Sequence, residues 1–464
     1  MSIFSILRTG AGAMQAARRG IAVASNNVAN ADTPGYARQR LELSTVGTMR
    51  QGGLLLGRGV SADSITSAYD RFNQASVTTR TAVSSYSDHR AGAYRAIEPV
   101  FAEGPDGRLG AAITQFFDSF SRLGNDPADP SLRRAVLGAG DTLAAMFTQA
   151  DTALLDRLTV ADERVSETVT QANSLLGQLG ALNAEITSLE AAGGEAGDLR
   201  SQRIAALDSL ATLLPVRSAE QADGSMTVLL GGHALVQGAT TRPLSVSVDP
   251  ATNLNRVEVP MGGGVAEITT QITGARLGAV LEERDTIIPG LREDLDALAY
   301  DLATEVNSVH AAGYGADGVT GRDFFVAPTA VSGAAGLFGV HASVLGDPDA
   351  VAAATTAGLP GDNTGSQAIA ALADANLAGG GTRTFLGFYA DIVVEVGTAA
   401  ASAYTDQSRA EVRLHASLDI RDSTSGVSVE EEALDLLRFQ DAYQAAGRVL
   451  STANELMDEL LRIV

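Results

Sequence analysis

The chain has 464 residues, 45% hydrophobic and 5% aromatic, with no tryptophan and no cysteine. That length exceeds one ordinary core and sets an expectation of roughly two to four domains, while the apolar share excludes wholesale disorder. The formal charge of -22, with 33 basic residues that are all arginine, argues against nucleic acid and anionic membranes as partners; missing cysteine excludes disulfides, thiolate metal sites and a cysteine nucleophile.

From the N-terminus, Phe4, Leu7, Ala11, Met14, Arg18, Ile21, Ser25 and Val28 follow a 3-4 spacing. That predicts a heptad helix with two polar interruptions. It should stop near Asn30, because Asp32-Thr33-Pro34-Gly35 is a turn signal. Basic residues are spread through the first twenty positions, not followed by an apolar block, so no cleaved secretory signal is expected. No apolar run is expected to reach the roughly 18 residues that span a bilayer. Residues 41–60, rich in glycine and threonine, predict short extended structure, and residues 66–101 predict helix.

After a break at Gly124-Asn125-Asp126-Pro127-Ala128-Asp129-Pro130, a long helix is predicted to about Ala192. Its stripe is Leu158, Ala161, Val165, Thr168, Ala172, Leu175, Leu179, Leu182, Ile186 and Leu189, expected to pack within the subunit. Gly193-Gly194 interrupts, and residues 198–214 resume as helix. Between 215 and 272, segments 226–230, 244–248 and 256–259 read as strands. Residues 277–312 predict helix with Leu281, Ile288, Leu291, Leu295, Leu298 and Leu302 buried; 313–381 are mixed; 385–420 are helical again.

Near the C-terminus, Ser428 and Glu431 fit a capping box. Val429, Leu436, Tyr443, Leu450, Met457 and Val464 then recur every seven residues, with Phe439, Ala446, Ala453 and Leu460 interleaved. This seam is expected to serve assembly, since it runs to the last residue with no capping domain. The fold class is therefore mainly α with β insertions: an elongated, multi-domain chain with terminal coiled-coil helices, a long helical bundle and β-rich middle segments. The expected division is 1–60 with 424–464 as a terminal assembly domain, 61–215 with 276–325 and 385–423 as the bundle, 216–275 as a β-hairpin insertion, and 326–384 as a short variable outer segment.

The chemistry of catalysis is sparse. His89, His233, His310, His341 and His415 are scattered, and no zincin, P-loop or nucleophile-elbow motif occurs. The carboxylates of 317–323 are too few for a calcium loop. Glu282-Glu283 and Glu430-Glu431-Glu432 diverge by about 100° per residue along a helix, and they are expected on solvated faces. No catalytic, cofactor or metal site is expected, and the chain reads as a non-enzyme.

The stretch Ser25-Asn26-Asn27-Val28-Ala29-Asn30-Ala31-Asp32-Thr33-Pro34-Gly35-Tyr36-Ala37-Arg38-Gln39 resembles one shared by flagellar axial proteins. Asp198-Leu199-Arg200-Ser201-Gln202-Arg203, with Ile204 where an aspartate is usual, the 224–238 hairpin, the 274–285 segment, 318–325, Gly361-Asp362-Asn363 and Arg438-Phe439-Gln440 with Tyr443 narrow the resemblance to the hook-associated protein 1 family. The resemblance implies a ring of subunits between hook and filament, and export through the flagellar type III channel to the cell exterior. It implies the hook protein and hook-associated protein 3 as axial neighbours, and a cytoplasmic export chaperone on the C-terminal helix. The expected assembly residues are Phe4, Leu7, Met14, Ile21, Val28, Asn30, Gly35, Tyr36, Arg38, Gln39, Leu436, Phe439, Tyr443, Leu450, Met457 and Leu460. Residues 1–30 and 428–464 are expected to be mobile in the free chain and to order on assembly. The alternatives are another axial component, a hook or distal-rod protein, and a secreted hydrolase on helical arms.

Overall fold

The computed structural model describes residues 3–33, 35–51, 54–102, 109–192, 194, 196–359 and 361–463. The predicted turn residue Pro34, the interrupting Gly193 and the heptad position Val464 lie outside them.

Helix α1 (Ile3–Ala29) leads into strands β1 (Gln39–Thr45), β2 (Thr48–Gln51), β3 (Leu54–Gly57) and β4 (Val60–Ser67). These form one long hairpin arm: β2 pairs β3, and β1 pairs β4 from Gln39↔Ser67 to Thr45↔Val60. The helix predicted over 66–101 therefore begins later, as α2 (Arg71–Phe101). Asp70 sets that start by accepting from the Phe72 and Asn73 amides, an N-cap that satisfies two donors the helix cannot.

Helix α3 (Leu109–Leu123), which the sequence reading did not assign, supplies Phe116, Phe117 and Phe120. Helix α4 (Pro130–Ala191) runs 62 residues from an Asp129 cap, about 90 Å at 1.5 Å per residue. Its predicted stripe is buried from Ala161 to Ile186 except for half-buried Leu175, while Leu189 is exposed. Helix α5 (Gly197–Leu213) and strands β5 (Val216–Glu220), β6 (Met226–Leu230), β7 (His233–Gln237), β8 (Thr240–Thr241), β9 (Ser245–Val248), β10 (Asn255–Met261) and β11 (Gly264–Glu267) follow, as a four-stranded and a three-stranded antiparallel sheet. The predicted 277–312 helix is two, α6 (Ala275–Glu282) and α7 (Ile288–Ala312), joined by a π-helical turn, Glu283–Ile287. Helices α8 (Thr364–Ala371), α9 (Phe385–Ser425) and α10 (Val429–Ile463) complete the order.

Two apolar cores form among the described residues. The first gathers α3, α7, the C-terminal half of α2 and the N-terminal halves of α4 and α9 around Phe116, Phe120, Phe324, Phe325 and Phe385. The loops between 324 and 353 pack into it through Ala335, Phe338 and Val344. The second joins the far half of α4 and helices α5 and α6 to the strands, through Leu179, Leu207, Val228, Val257 and Leu277. Along the side, α2 and α9 run antiparallel: Asn73 bonds Thr424 at one end and the Tyr389 hydroxyl donates to the Phe101 carbonyl at the other.

The absence of any membrane-length apolar run does not hold as stated. One 18-residue window within Phe385–Arg462 reaches a mean hydropathy of 1.3. One face of α9 is turned into the bundle, where Phe385, Tyr389, Ile392, Val396 and Ala400 are buried, while Leu386 and Val394 are exposed. The solvated-face expectation for the paired carboxylates also fails at two positions. Glu283 is 2% exposed and accepts from Arg157 Nε at 2.5 Å, and Glu432 is 2% exposed. Their cationic partners are remote in sequence, which is why helical spacing alone misplaced them.

Candidate assembly interface

The terminal helices α1 and α10 lie antiparallel. A Cβ built on Gly10 would sit 3.1 Å from the Leu450 side chain, and one on Gly20 would sit 2.6 Å from the Phe439 ring. Glycine is thus required at Gly20, because the ring occupies the place of a side chain. The buried face of α1 is made of small residues: Gly10, Ala17 and Ala24 at one heptad position, Gly20 and Asn27 at the companion position. Ala16 and Val23 are buried as well, and Arg19 Nη1 donates to the Ala62 carbonyl of the hairpin arm at 2.9 Å. Close approach of two helices over glycine and alanine gains little per residue, since large apolar side chains carry most of the transfer free energy.

The predicted seam flanks this face. Phe4 is 72% exposed, while Leu7, Met14, Ile21 and Val28 are half-buried. On α10, Leu436, Phe439, Leu450 and Met457 are half-buried, and Tyr443 and Leu460 are 40% and 50% exposed. Leu434, Leu437, Leu456 and Leu461 are exposed too. Charge divides between the helices: α1 carries Arg8, Arg18 and Arg19 with no acid, whereas α10 carries eight carboxylates against three arginines.

The motif after α1 is a polar hub. Asn27, 1% exposed, uses every polar site on its amide. Its Nδ2 donates to the Gln39 carbonyl at 2.8 Å and to Glu432 Oε2 at 2.9 Å, and its Oδ1 accepts from the Gln39 amide at 3.0 Å and the Tyr36 hydroxyl at 2.9 Å. Arg38 Nη1 donates to Glu431 at 2.6 Å; its Nε lies 2.6 Å from Glu432, out of line for a hydrogen bond, and Asp435 is 3.6 Å away. Asp198 at the start of α5 accepts from Gln39 Nε2 at 2.8 Å and Asn26 Nδ2 at 3.2 Å. Asn30 closes the helix by donating to the Asn26 carbonyl, and Gly35 takes φ +78°, a conformation that favours glycine. Burial, with Asp198 and Glu432 nearby, pushes the Tyr36 hydroxyl up to about 12, so it stays a neutral donor.

Of the predicted site residues, Asn30, Gly35, Tyr36, Arg38 and Gln39 are thus gathered into one intrasubunit hub, and the others flank the helix pair. The hub partners Asn27, Asp198, Glu431, Glu432 and Asp435 were not among them. Asn27 and Asp198 stood in quoted motifs and Glu431 in the capping box, but nothing local pairs the four distant acids with the residues after α1. The capping box is half-formed: the Ser428 hydroxyl accepts from the Glu431 amide at 3.4 Å, while the Glu431 carboxylate turns to Arg38. Among the described residues no group of three or more histidines and carboxylates is placed to hold a metal ion. His310, 1% exposed, sits between two backbone partners, Nδ1 at 2.7 Å from the Arg322 carbonyl and Nε2 accepting from the Ala352 amide at 2.9 Å. That is the arrangement of a packed, neutral imidazole.

Comparison with known proteins agrees with this anatomy. The model for the flagellar hook-associated protein FlgK helical domain matches residues 94–325, half of the chain. The ends match two further families, flagella basal body rod protein over 7–36 and flagellar basal body rod FlgEFG protein C-terminal over 421–463. Relatives named flagellar hook-associated protein 1 are 26% identical in Bacillus subtilis, covering 99% of this chain and 98% of the relative, and 25% identical in Salmonella typhimurium, covering 99% and 100%. The flagellar hook junction protein FlgK from Burkholderia pseudomallei shares the fold, with a TM-score of 0.68 at 16% identity over 76% of this chain and all of that one.

Proposed function

This chain belongs to the flagellar hook-associated protein FlgK family, and from that premise we propose how it performs its task. It is a structural subunit of the bacterial flagellum, not an enzyme, and it forms the junction between hook and filament. It self-assembles with other flagellar components through its terminal helices. The observation that carries the proposal is the apolar outer surface of the terminal pair: Phe4 on α1, and Leu434, Leu437, Tyr443, Leu456, Leu460 and Leu461 on α10, left uncovered in one subunit. A surface of that kind marks an interaction site. The basic α1 and acidic α10 favour head-to-tail contact, in which the outer face of α1 on one copy meets the outer face of α10 on the next. Heterologous contacts that close make a ring.

Within this reading, the residues 1–60 and 424–464 act as the assembly domain, and the two cores, with the 216–275 strands and the 326–384 segment, project from it. Phe4, Leu7, Met14, Ile21 and Val28, with Leu436, Phe439, Tyr443, Leu450, Met457 and Leu460, make or flank the contact. Asn30, Gly35, Tyr36, Arg38 and Gln39 aim the helices toward it. The hook protein and hook-associated protein 3 are the axial neighbours, and a cytoplasmic chaperone shields the exposed leucines of α10 before export without a cleaved signal. The deciding experiment is electron microscopy of a deletion strain complemented with Leu434→Glu/Leu456→Glu. Hooks without filaments, with filament protein shed into the medium, are the expected outcome; normal filaments would refute the role of this surface.

A further inference from the structure

The seam between α1 and α10 has one packing point that distinguishes registers, the Phe439 ring seated on Gly20. Elsewhere Gly10, Ala17 and Ala24 present a smooth strip, and a slip of one heptad, about 10 Å, again brings an apolar residue, Tyr443 or Met457, onto Gly10. Against this smooth strip stands one buried polar point. Asn27 donates to Glu432 at 2.9 Å, both being 2% exposed or less, and Arg38 anchors Glu431 and Glu432 from the side. Asn27 also binds the Gln39 backbone through both its amide groups, and the Arg38 amide donates to the Ser425 carbonyl at 2.8 Å, just before α10. Slipping α10 would part Glu432 from Asn27 and Arg38 and leave one Asn27 amide proton unmatched, while the Asn27 bonds to Gln39 and Tyr36 remain, a penalty the glycine and alanine contacts cannot offset.

We infer that Asn27, Arg38 and Glu432 form a register latch, which fixes the axial stagger of α10 on α1 more strongly than the seating of Phe439 on Gly20 does. They are positioning residues: they set where the outer faces of the terminal pair stand relative to each other and, through Gln39 and Asp198, relative to α5. A polar pair buried in an otherwise apolar helix seam is the best-attested way of choosing one register among several. The latch is a property of the single chain and does not depend on how copies assemble.

The chain has no cysteine, so introduced pairs report register directly. Three double variants of the full-length protein are oxidised at high dilution: Gly10→Cys with Leu450→Cys for the observed register, and Gly10→Cys with Tyr443→Cys or with Met457→Cys for slips of one heptad either way. With the latch intact, the 10–450 pair should close roughly tenfold faster than either slipped pair, the ratio one buried charge-assisted hydrogen bond sets. In an Asn27→Leu/Glu432→Leu background, which removes both partners together and keeps the interface apolar, the best slipped pair should come within about threefold of the 10–450 pair. If helicity by circular dichroism falls in that background, Glu432→Gln is used, and its slipped pairs should close at least about threefold faster than in the intact chain. An unchanged tenfold preference in a helical variant would overturn the latch and assign register to Phe439 seated on Gly20. Equal closure of all three pairs with the latch intact would overturn it as well.

Discussion

The phenylalanine core and the terminal helix pair hold helices together by different means. In the core, Phe116 meets Phe117 and Phe120 edge-on at 5.3 Å, and Phe324 and Phe325 pack on the same ring at 5.4 and 5.1 Å. Phe116, Phe120, Phe324 and Phe325 are fully buried within one subunit. In the terminal pair the covered face is glycine and alanine, while leucines point outward. The core has placed its large side chains where its own chain covers them. The terminal pair has placed them where only another chain can, and it keeps its geometry with a polar hub rather than with bulk. A subunit that must stay folded on its own and yet bind copies of itself needs both arrangements, segregated along the chain.

The largest expected effect tests that segregation. Truncation after Ser425 should abolish self-association by analytical ultracentrifugation, yet shift the urea unfolding free energy of the remainder by less than about 1 kcal/mol, because the cores make their contacts elsewhere. Collapse of the whole melt would show that the two regions are one cooperative unit. Next in size, Phe116→Ala should cost about 3–5 kcal/mol in the same melt through lost burial and the cavity left behind. Its effect on the α1–α10 pair, followed by the 10–450 disulfide, should be nil.

How much of this was legible follows from how local each cause is. The 62-residue α4 and the heptads of α10 were legible because 3-4 spacing needs only the segment itself. Helix α3 was missed although Ile113, Phe116, Phe120 and Leu123 fall on one helical face; a short helix between two breaks is easily passed over. The end of β4, Thr66 and Ser67, was read as helix because its strand character comes from pairing with β1, more than twenty residues back at Gln39↔Ser67. On α1, weighting large side chains picked Phe4, Leu7 and Met14, while the face actually covered is glycine and alanine. The axial motif was plain, but its work was not: Asn27 and Glu432 are 405 positions apart, and no periodicity joins them.

Acid should then separate the core from the terminal pair. Burial lowers the His310 imidazole to about 4, well below its ordinary 6.5. The unfolded chain therefore binds this proton more readily, so the stability His310 contributes is complete above about pH 6.5 and is lost as pH falls through about 4. The loss should reach about 2–3 kcal/mol and appear in the phenylalanine core, where the ring packs against Phe324 at 5.3 Å. His310→Gln should abolish that fall in a pH series of urea melts; an unaltered slope would place the acid sensitivity elsewhere.

The smallest effect has the opposite sign and sits at the joint between the regions. Asp208 on α5 accepts from Gln74 of α2 at 2.6 Å and from Arg421 of α9 at 3.1 Å. Burial outweighs that guanidinium and raises the carboxyl to about 6 from 3.8. The folded chain thus holds this proton more tightly than the unfolded one, so the contribution is complete below about pH 3.8 and is lost as pH rises through about 6. With a quarter of the side chain still in solvent, screening reduces the effect to on the order of 1 kcal/mol. Asp208→Asn should recover it at pH 8 while keeping an acceptor for Gln74. Between about pH 4 and 6 the two slopes oppose, so the unmodified protein should lose less stability toward acid than Asp208→Asn. In that window Asp208→Asn should steepen the fall in stability toward acid, and His310→Gln should reverse it.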